Sequence, residues 1–216
     1  MNDDLDGGSR GADDVLRGTE GADRLFGRLG DDRIDGGDGP DVSVYTRPRD
    51  AYVVDLTQHA SGRIVVTGPD GRHLLDNVER LEFADHKLAF DLGTGQAGAN
   101  TARLVAAAFT PNAVHALPDY IGIGLQLFDA GHNMLQVAQL AATVLGLDDD
   151  AFIDRIYLHV VGLPPTQAAH DFFESLLQGH GGNLTQADLL VLAANHEMTA
   201  EQIGLVGLAQ SGLEYA

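Results

Sequence analysis

Between residues 11 and 45 one short acidic phrase recurs four times: GAD ending at Asp13, GAD ending at Asp23, GDD ending at Asp32 and GPD ending at Asp41. The aspartates fall ten, nine and nine residues apart, and apolar residues follow at Leu16, Leu25, Ile34 and Val42 with Val44. Each copy has room for one tight turn and one very short strand. Gly18, Gly21, Gly27, Gly30, Gly36 and Gly39 suit backbone angles closed to other residues. Arg24-Leu25-Phe26 and Arg33-Ile34-Asp35 are predicted to be strands with Leu25 and Ile34 turned inward. Two such half-turns make one coil of about eighteen residues in a parallel β-roll, with strands stacked on two faces and turns on two edges.

Turns on one edge are alternate copies, so the spacing pairs Asp23 with Asp41 and Asp13 with Asp32. The first pair has the regular step. Asp13 and Asp14 are adjacent and one extra residue separates their turn from the next, so the first half-site can use either. Stacking crowds carboxylates along each edge, and a cation is needed to relieve it. Calcium fits, because it takes six to eight hard oxygens from carboxylates and from the carbonyls that glycine turns leave free. The candidate metal-binding residues are Asp13, Asp14, Asp23, Asp32 and Asp41 with Gly18, Gly21, Gly27, Gly30, Gly36 and Gly39, for about two or three ions. Glycine-rich acidic segments are also common as flexible linkers, but four copies with aspartate and leucine in phase favour the roll. Without calcium the segment is expected to be disordered, since metal binding and folding are coupled.

Composition changes along the 216 residues: residues 1–50 hold twelve Asp, one Glu and seven Arg, whereas residues 101–216 hold twelve acids but only Arg103 and Arg155 as strong bases. Two domains are therefore expected. A formal charge of −19 disfavours nucleic acid and anionic membrane surfaces. Cysteine is absent, so metal would take the place of a disulfide staple. The start, MNDDLD, has neither a basic n-region nor an apolar h-region, so no ordinary cleavable signal peptide is expected. No apolar run reaches the eighteen or so residues of a membrane span.

Residues 46–95 read as a β cap on the roll. Ala51 to Leu56 and Arg63 to Thr67 are β-branched runs with a hairpin loop between them at 58–62, and Gly68-Pro69-Asp70-Gly71 is a strong turn. Gly93 to Asn100 reads as a linker. Beyond it the period is helical, with candidate helices at 101–109, 118–130, 134–145, 148–161, 166–179, 185–195 and 201–212. Thr166 and Thr185 are expected N-caps, with Asp188 the acidic arm of a capping box. An offset of about 52 relates the two halves of this region: Leu104 matches Ile156, and Leu140-Ala141-Ala142 matches Leu192-Ala193-Ala194. Two helical units packed on each other are expected.

Other chemistry finds no motif. The nine histidines show no pair at helical i, i+4 spacing, and His196-Glu197 lacks the second histidine of a zinc protease. Ser211 lacks the first glycine of a nucleophile elbow. Tyr120, Phe128, Phe152, Phe172 and Phe173 recur at helical spacing and read as core. The chain is expected not to be an enzyme.

The nonapeptide phrases, followed by Leu75-Asp76-Asn77-Val78-Glu79-Arg80-Leu81-Glu82-Phe83-Ala84-Asp85, resemble RTX (haemolysin-type) calcium-binding repeat proteins over residues 11–92. The stretches RLVAAAF, IDRIYLHVVGLPP and EQIGLVGLAQSGLEY resemble the helical DUF4214 family, although the arginine and acid of that family's signature are missing after Gly162. The resemblance implies a multidomain chain, β then α: an RTX β-roll at 1–45, a β cap at 46–95 and an all-α DUF4214-like domain at 96–216. It further implies calcium ions as cofactor and partner, type I secretion without a cleavable signal, an extracellular or cell-surface location, and cell-surface or surface-layer partners in assembly or adhesion. Nucleic-acid binding and membrane insertion are not expected. The alternatives are a folding and secretion tail of a secreted hydrolase, or a helical domain that binds a glycan or peptide.

Overall fold

The computed structural model describes residues 3–8, 11–58 and 62–216; His59 and the middle of the expected 58–62 loop lie outside them, as do Met1 and Asn2. The chain forms two compact units, Met1–Phe90 and Asp91–Ala216.

In the first unit each phrase gives one three-residue strand: β1 (Asp4–Asp6), β2 (Val15–Arg17), β3 (Arg24–Phe26), β4 (Arg33–Asp35) and β5 (Val42–Val44). Alternate strands pair in parallel, β1 with β3 and β3 with β5 on one face, β2 with β4 on the other. Only the central residue of each strand points inward, because successive side chains alternate. Leu25 and Ile34 are both 0% exposed, as their spacing predicts. The phrase LDG at Leu5 adds a fifth strand upstream of the four expected copies, joined at a step of twenty residues (Asp4 opposite Arg24) instead of the eighteen that separate Arg24 from Val42.

The chain leaves the roll after β5 and then returns to it. β6 (Val53–Asp55), β7 (Arg63–Gly68) and β8 (Gly71–Asp76) form an antiparallel meander, and β8 pairs parallel with β4. The turn at Asn77 leads into β9 (Arg80–Glu82), which pairs parallel with β5; β10 (Lys87–Ala89) then folds back antiparallel on β9. Within this unit the two faces run β1-β3-β5-β9-β10 and β2-β4-β8-β7-β6. The segment that reads as a cap thus supplies the last coil, with Leu75 and Leu81 stacked on Ile34 and Ser43. Beyond the leucines, Tyr45, Tyr52 and Phe83 close the core, with ring centroids 4.9 to 5.4 Å apart.

The second unit is helical: α1 (Ala97–Ala108), α2 (Ala113–Ala116), α3 (Pro118–Asp129), α4 (Met134–Leu145), α5 (Asp149–Val161), α6 (Gln167–Leu176), α7 (Gln186–Asn195), α8 (Glu197–Gln202) and α9 (Leu205–Ser211), followed by β11 (Leu213–Tyr215). Helix starts follow local chemistry. Asn133 and Thr185 form capping boxes with Gln136 and Asp188, while Asp148 and Thr166 cap α5 and α6. These side chains accept from N–H groups that the first helical turn leaves without partners. The expected linker at 93–100 is a linker only in its first part. Gly98 and Ala99 are buried in α1, and the Gly98 N–H donates to Asp91 Oδ2 (3.1 Å), so the apolar face overrides glycine's low helix propensity.

The core of this unit joins Leu104, Val137, Phe152, Ile156 and Leu190 from α1, α4, α5 and α7. The 52-residue offset carries α1 onto α5 and α4 onto α7, while α3 falls at 170–181 and overlaps only the later part of α6. His159 Nδ1 lies 2.9 Å from the carbonyl of Ala107, its counterpart at that offset. None of the helices is long and apolar enough to cross a membrane among the described residues.

Candidate metal centre

Each turn acid ties one coil to the next. On one edge the main-chain N–H of Asp3 donates to Asp23 Oδ1 (2.7 Å), that of Asp23 to Asp41 Oδ1 (2.8 Å) and that of Asp41 to Glu79 Oε2 (2.9 Å). On the other edge the Asp14 N–H donates to Asp32 Oδ1 (2.9 Å). Such bonds to ionised acceptors are the strong class, but they occupy one oxygen of each carboxylate. Oδ2 of Asp32 and of Asp41, the oxygen these bonds leave over, and Oδ2 of Asp14 are buried with no hydrogen-bond partner. A carboxylate oxygen withheld from water without compensation is costly unless a cation meets it. Burial pushes the Asp41 carboxyl up to about 6, helped by the charges of Asp23, Asp35 and Asp38 and opposed by the Asp23 N–H. Asp23 differs, because its Oδ2 accepts from the N–H (2.6 Å) and hydroxyl (3.0 Å) of Thr19. The Thr19 N–H, with that of Asp3, lowers its pKa.

Glycines bring main-chain oxygens to the same places. A Cβ on Gly18 would lie 1.9 Å from the Gly36 carbonyl oxygen and 2.7 Å from Asp23 Oδ2, and one on Gly36 would lie 2.0 Å from the Asn77 carbonyl oxygen and 2.6 Å from Asp41 Oδ2. Gly30 and Gly39 have φ of +138° and +129° and press against the carbonyls of Ala12 and Gly21. Side chains are excluded at these glycine positions, where carboxylate and carbonyl oxygens come together, the hard oxygens that calcium prefers. Asp14, Asp23, Asp32 and Asp41 with these glycine turns would hold the ions.

The expected Asp13–Asp32 pairing needs correction. Asp14 is the acid in register with Asp32, while Asp13 accepts from the N–H of Asp31 (2.9 Å) at an exposed position. Counting from Asp14 restores an unbroken nine-residue step through Asp23, Asp32 and Asp41, which the GAD phrase had masked. Two further members of the ladder went unread in the sequence. Glu79 stands where the next aspartate of its edge would be, and His73 stands beyond Asp32 on the other, with Nε2 3.2 Å from Asp32 Oδ2 but not aligned as a hydrogen bond.

The helical unit gathers acids around two histidines. His170, Asp171 and Glu174 offer ligand atoms within 4.8 Å of one another, and His180 lies 3.3 Å from Asp149 and 3.1 Å from Glu174. A search for paired histidines misses the His170–Glu174 step of four, which brings both onto one face of α6.

A parallel coil with acids and glycines stacked along its edges is a calcium-binding β-roll, a non-catalytic module. Residues 10–42 match the RTX calcium-binding nonapeptide repeat in four copies. No curated protein matches the chain. Among solved structures it is similar to the extracellular lipase LipA from Serratia marcescens, with 22% identity over 34% of this chain and a TM-score of 0.21. The similarity spans 13% of the lipase chain.

Proposed function

We propose that this chain is an extracellular module whose β-roll folds on calcium after type I secretion, and whose DUF4214-like helical domain serves assembly or adhesion at a cell surface. The observation that carries the calcium step is the set of buried Oδ2 oxygens on Asp14, Asp32 and Asp41. In a calcium-poor cytosol these charges oppose closure of the coils and the N-terminal unit stays exportable; outside, millimolar calcium bridges them and folding follows. Far-ultraviolet circular dichroism of the full chain, titrated with calcium and then with chelator, tests this. The expected result is a reversible gain of β-signal, and a spectrum indifferent to both additions refutes it.

A second reading, in which the helical unit binds an apolar peptide or the apolar face of a glycan, is favoured by two clefts. One of about 290 Å³ is lined by Ile156, Tyr157, Val161, Leu192 and Ala193. The other, of about 130 Å³, is lined by their counterparts at the 52-residue offset, Leu104, Val105, Phe109, Leu140 and Ala141. A duplicated helical framework repeats the same concave apolar surface, the usual form of a ligand pocket. A peptide and glycan array probed with the full chain and with Leu192→Arg would show binding lost in the variant; equal binding by both removes this reading.

A further inference from the structure

We infer that the calcium ladder extends one coil past the matched repeat on one edge only: Glu79 builds a further ion site with Asp41, while His73 ends the ladder on the opposite edge. This rests on the calcium reading above.

The extension follows from main-chain geometry that repeats from coil to coil, with the difference that Asp23 Oδ2 accepts from Thr19 whereas Asp41 Oδ2 has no hydrogen-bond partner. The Asp41 N–H binds the Glu79 carboxylate at 2.9 Å, as the Asp23 N–H binds Asp41 at 2.8 Å. The Gly36 N–H donates to the Asp76 carbonyl at 2.9 Å, as the Gly18 N–H donates to the Asp35 carbonyl at 2.8 Å. Asn77 presents its carbonyl to Gly36 as Gly36 presents its own to Gly18. Asp41, 0% exposed, has its second oxygen buried without a partner against Gly36. Carboxylate and carbonyl oxygens therefore meet on this coil as they do on the coil before it, although the sequence between Asp41 and Glu79 has left the nine-residue period.

The other edge breaks the pattern at the same level. A Cβ on Gly7 would meet the Gly27 carbonyl oxygen at 2.8 Å, but one on Gly27 would meet the His73 ring, at 2.9 Å from Cε1 and 3.1 Å from Nδ1. An imidazole fills the place where a carbonyl oxygen would stand. Its Nε2 faces Asp32 Oδ2 at 3.2 Å, both side chains being buried, and the ring stacks on Tyr45 with centroids 5.5 Å apart. Imidazole suits zinc or copper and is a poor calcium ligand. The volume that an ion and its oxygens need is occupied by ring carbon and nitrogen.

Ion counting on the full chain tests the assignment, with calcium per chain read by native mass spectrometry and by isothermal titration, and folding read by circular dichroism. Relative to the wild type, Glu79→Gln is expected to bind one ion fewer and His73→Asp one ion more. An unchanged count in either variant overturns the inference. Should Glu79→Gln fail to fold, Glu79→Asp is expected to keep the wild-type count and His73→Asp alone decides, an unchanged number refuting the proposal. A wild-type chain that binds no calcium is a separate outcome, which removes the calcium reading and this inference with it.

Discussion

Replacing Asp41 by asparagine should change stability in opposite directions with and without calcium. The asparagine keeps a side-chain oxygen for the Asp23 N–H, now 2.8 Å from Asp41 Oδ1, and removes the buried charge. In the ion-free roll the carboxyl titrates near 6 instead of 3.8, a shift of about two units at about 1.4 kcal/mol each, so ionised Asp41 disfavours the folded state by about 3 kcal/mol at pH 7. The sign follows from the direction of the shift: a raised carboxyl pKa burdens the folded state above about 6, and the burden fades as the pH falls through that value towards 4. Asp41→Asn should therefore make the chelated protein easier to fold at pH 7, by up to about 3 kcal/mol, and have little effect near pH 4. At millimolar calcium the same variant loses a charged ligand, and the calcium midpoint should rise at least tenfold, about 1.4 kcal/mol per decade. Because the ion-free roll is expected to be unfolded in water, the first arm is read by circular dichroism in chelator as a stabilising osmolyte such as trimethylamine N-oxide is added, and the second by urea unfolding in calcium. A variant that is less stable than wild type in chelator, or equal to it in calcium, refutes the reasoning.

Four further substitutions probe the supports of the two units. Gly36→Ala would drive a Cβ to 2.0 Å from the Asn77 carbonyl oxygen; a loss of more than about 2 kcal/mol is expected in calcium, whereas Gly62→Ala, with open space around it but φ of +80°, should cost about 1 kcal/mol. Ile34→Ala should cost about 2–5 kcal/mol, because Ile34 is 0% exposed between Leu16 and Leu75; thermal melts in calcium should register it in the β-signal. Thr185→Ala removes the hydroxyl that accepts from the Asp188 N–H in the α7 capping box, while the Thr185 N–H can still donate to Asp188 Oδ2; it should cost about 1 kcal/mol, read as faster hydrogen exchange at the first amides of α7.

The parts of this fold that were legible in the sequence are those whose cause is local. The phase of Leu25 and Ile34 gives both the strands and their inward faces, and Thr166 and Thr185 mark helix starts because a cap acts within three residues. The last coil was not legible, since Glu79 reaches Asp41 across 38 residues and nothing in Asn77-Val78-Glu79 repeats the glycine phrase. The register at Asp14 was obscured for a different reason: Asp13 completes the GAD phrase, and only the backbone shows which of two adjacent acids turns inward. Histidine at 73 carries no signal of its own, because its role comes from lying beside Asp32 in the third dimension.

The return of β8 and β9 to the roll also bears on how such a chain tolerates change. Joining Asp41 to Glu79 closes a span of 38 residues, against 18 from Asp23 to Asp41, yet loop-closure entropy grows only with the logarithm of length, and the longer span costs about 0.7 kcal/mol more. A terminal coil held by register and not by adjacency can thus accept additional sequence between β5 and β8 with small thermodynamic effect. The end of the roll is where new surface could be grafted without disturbing the ladder behind it.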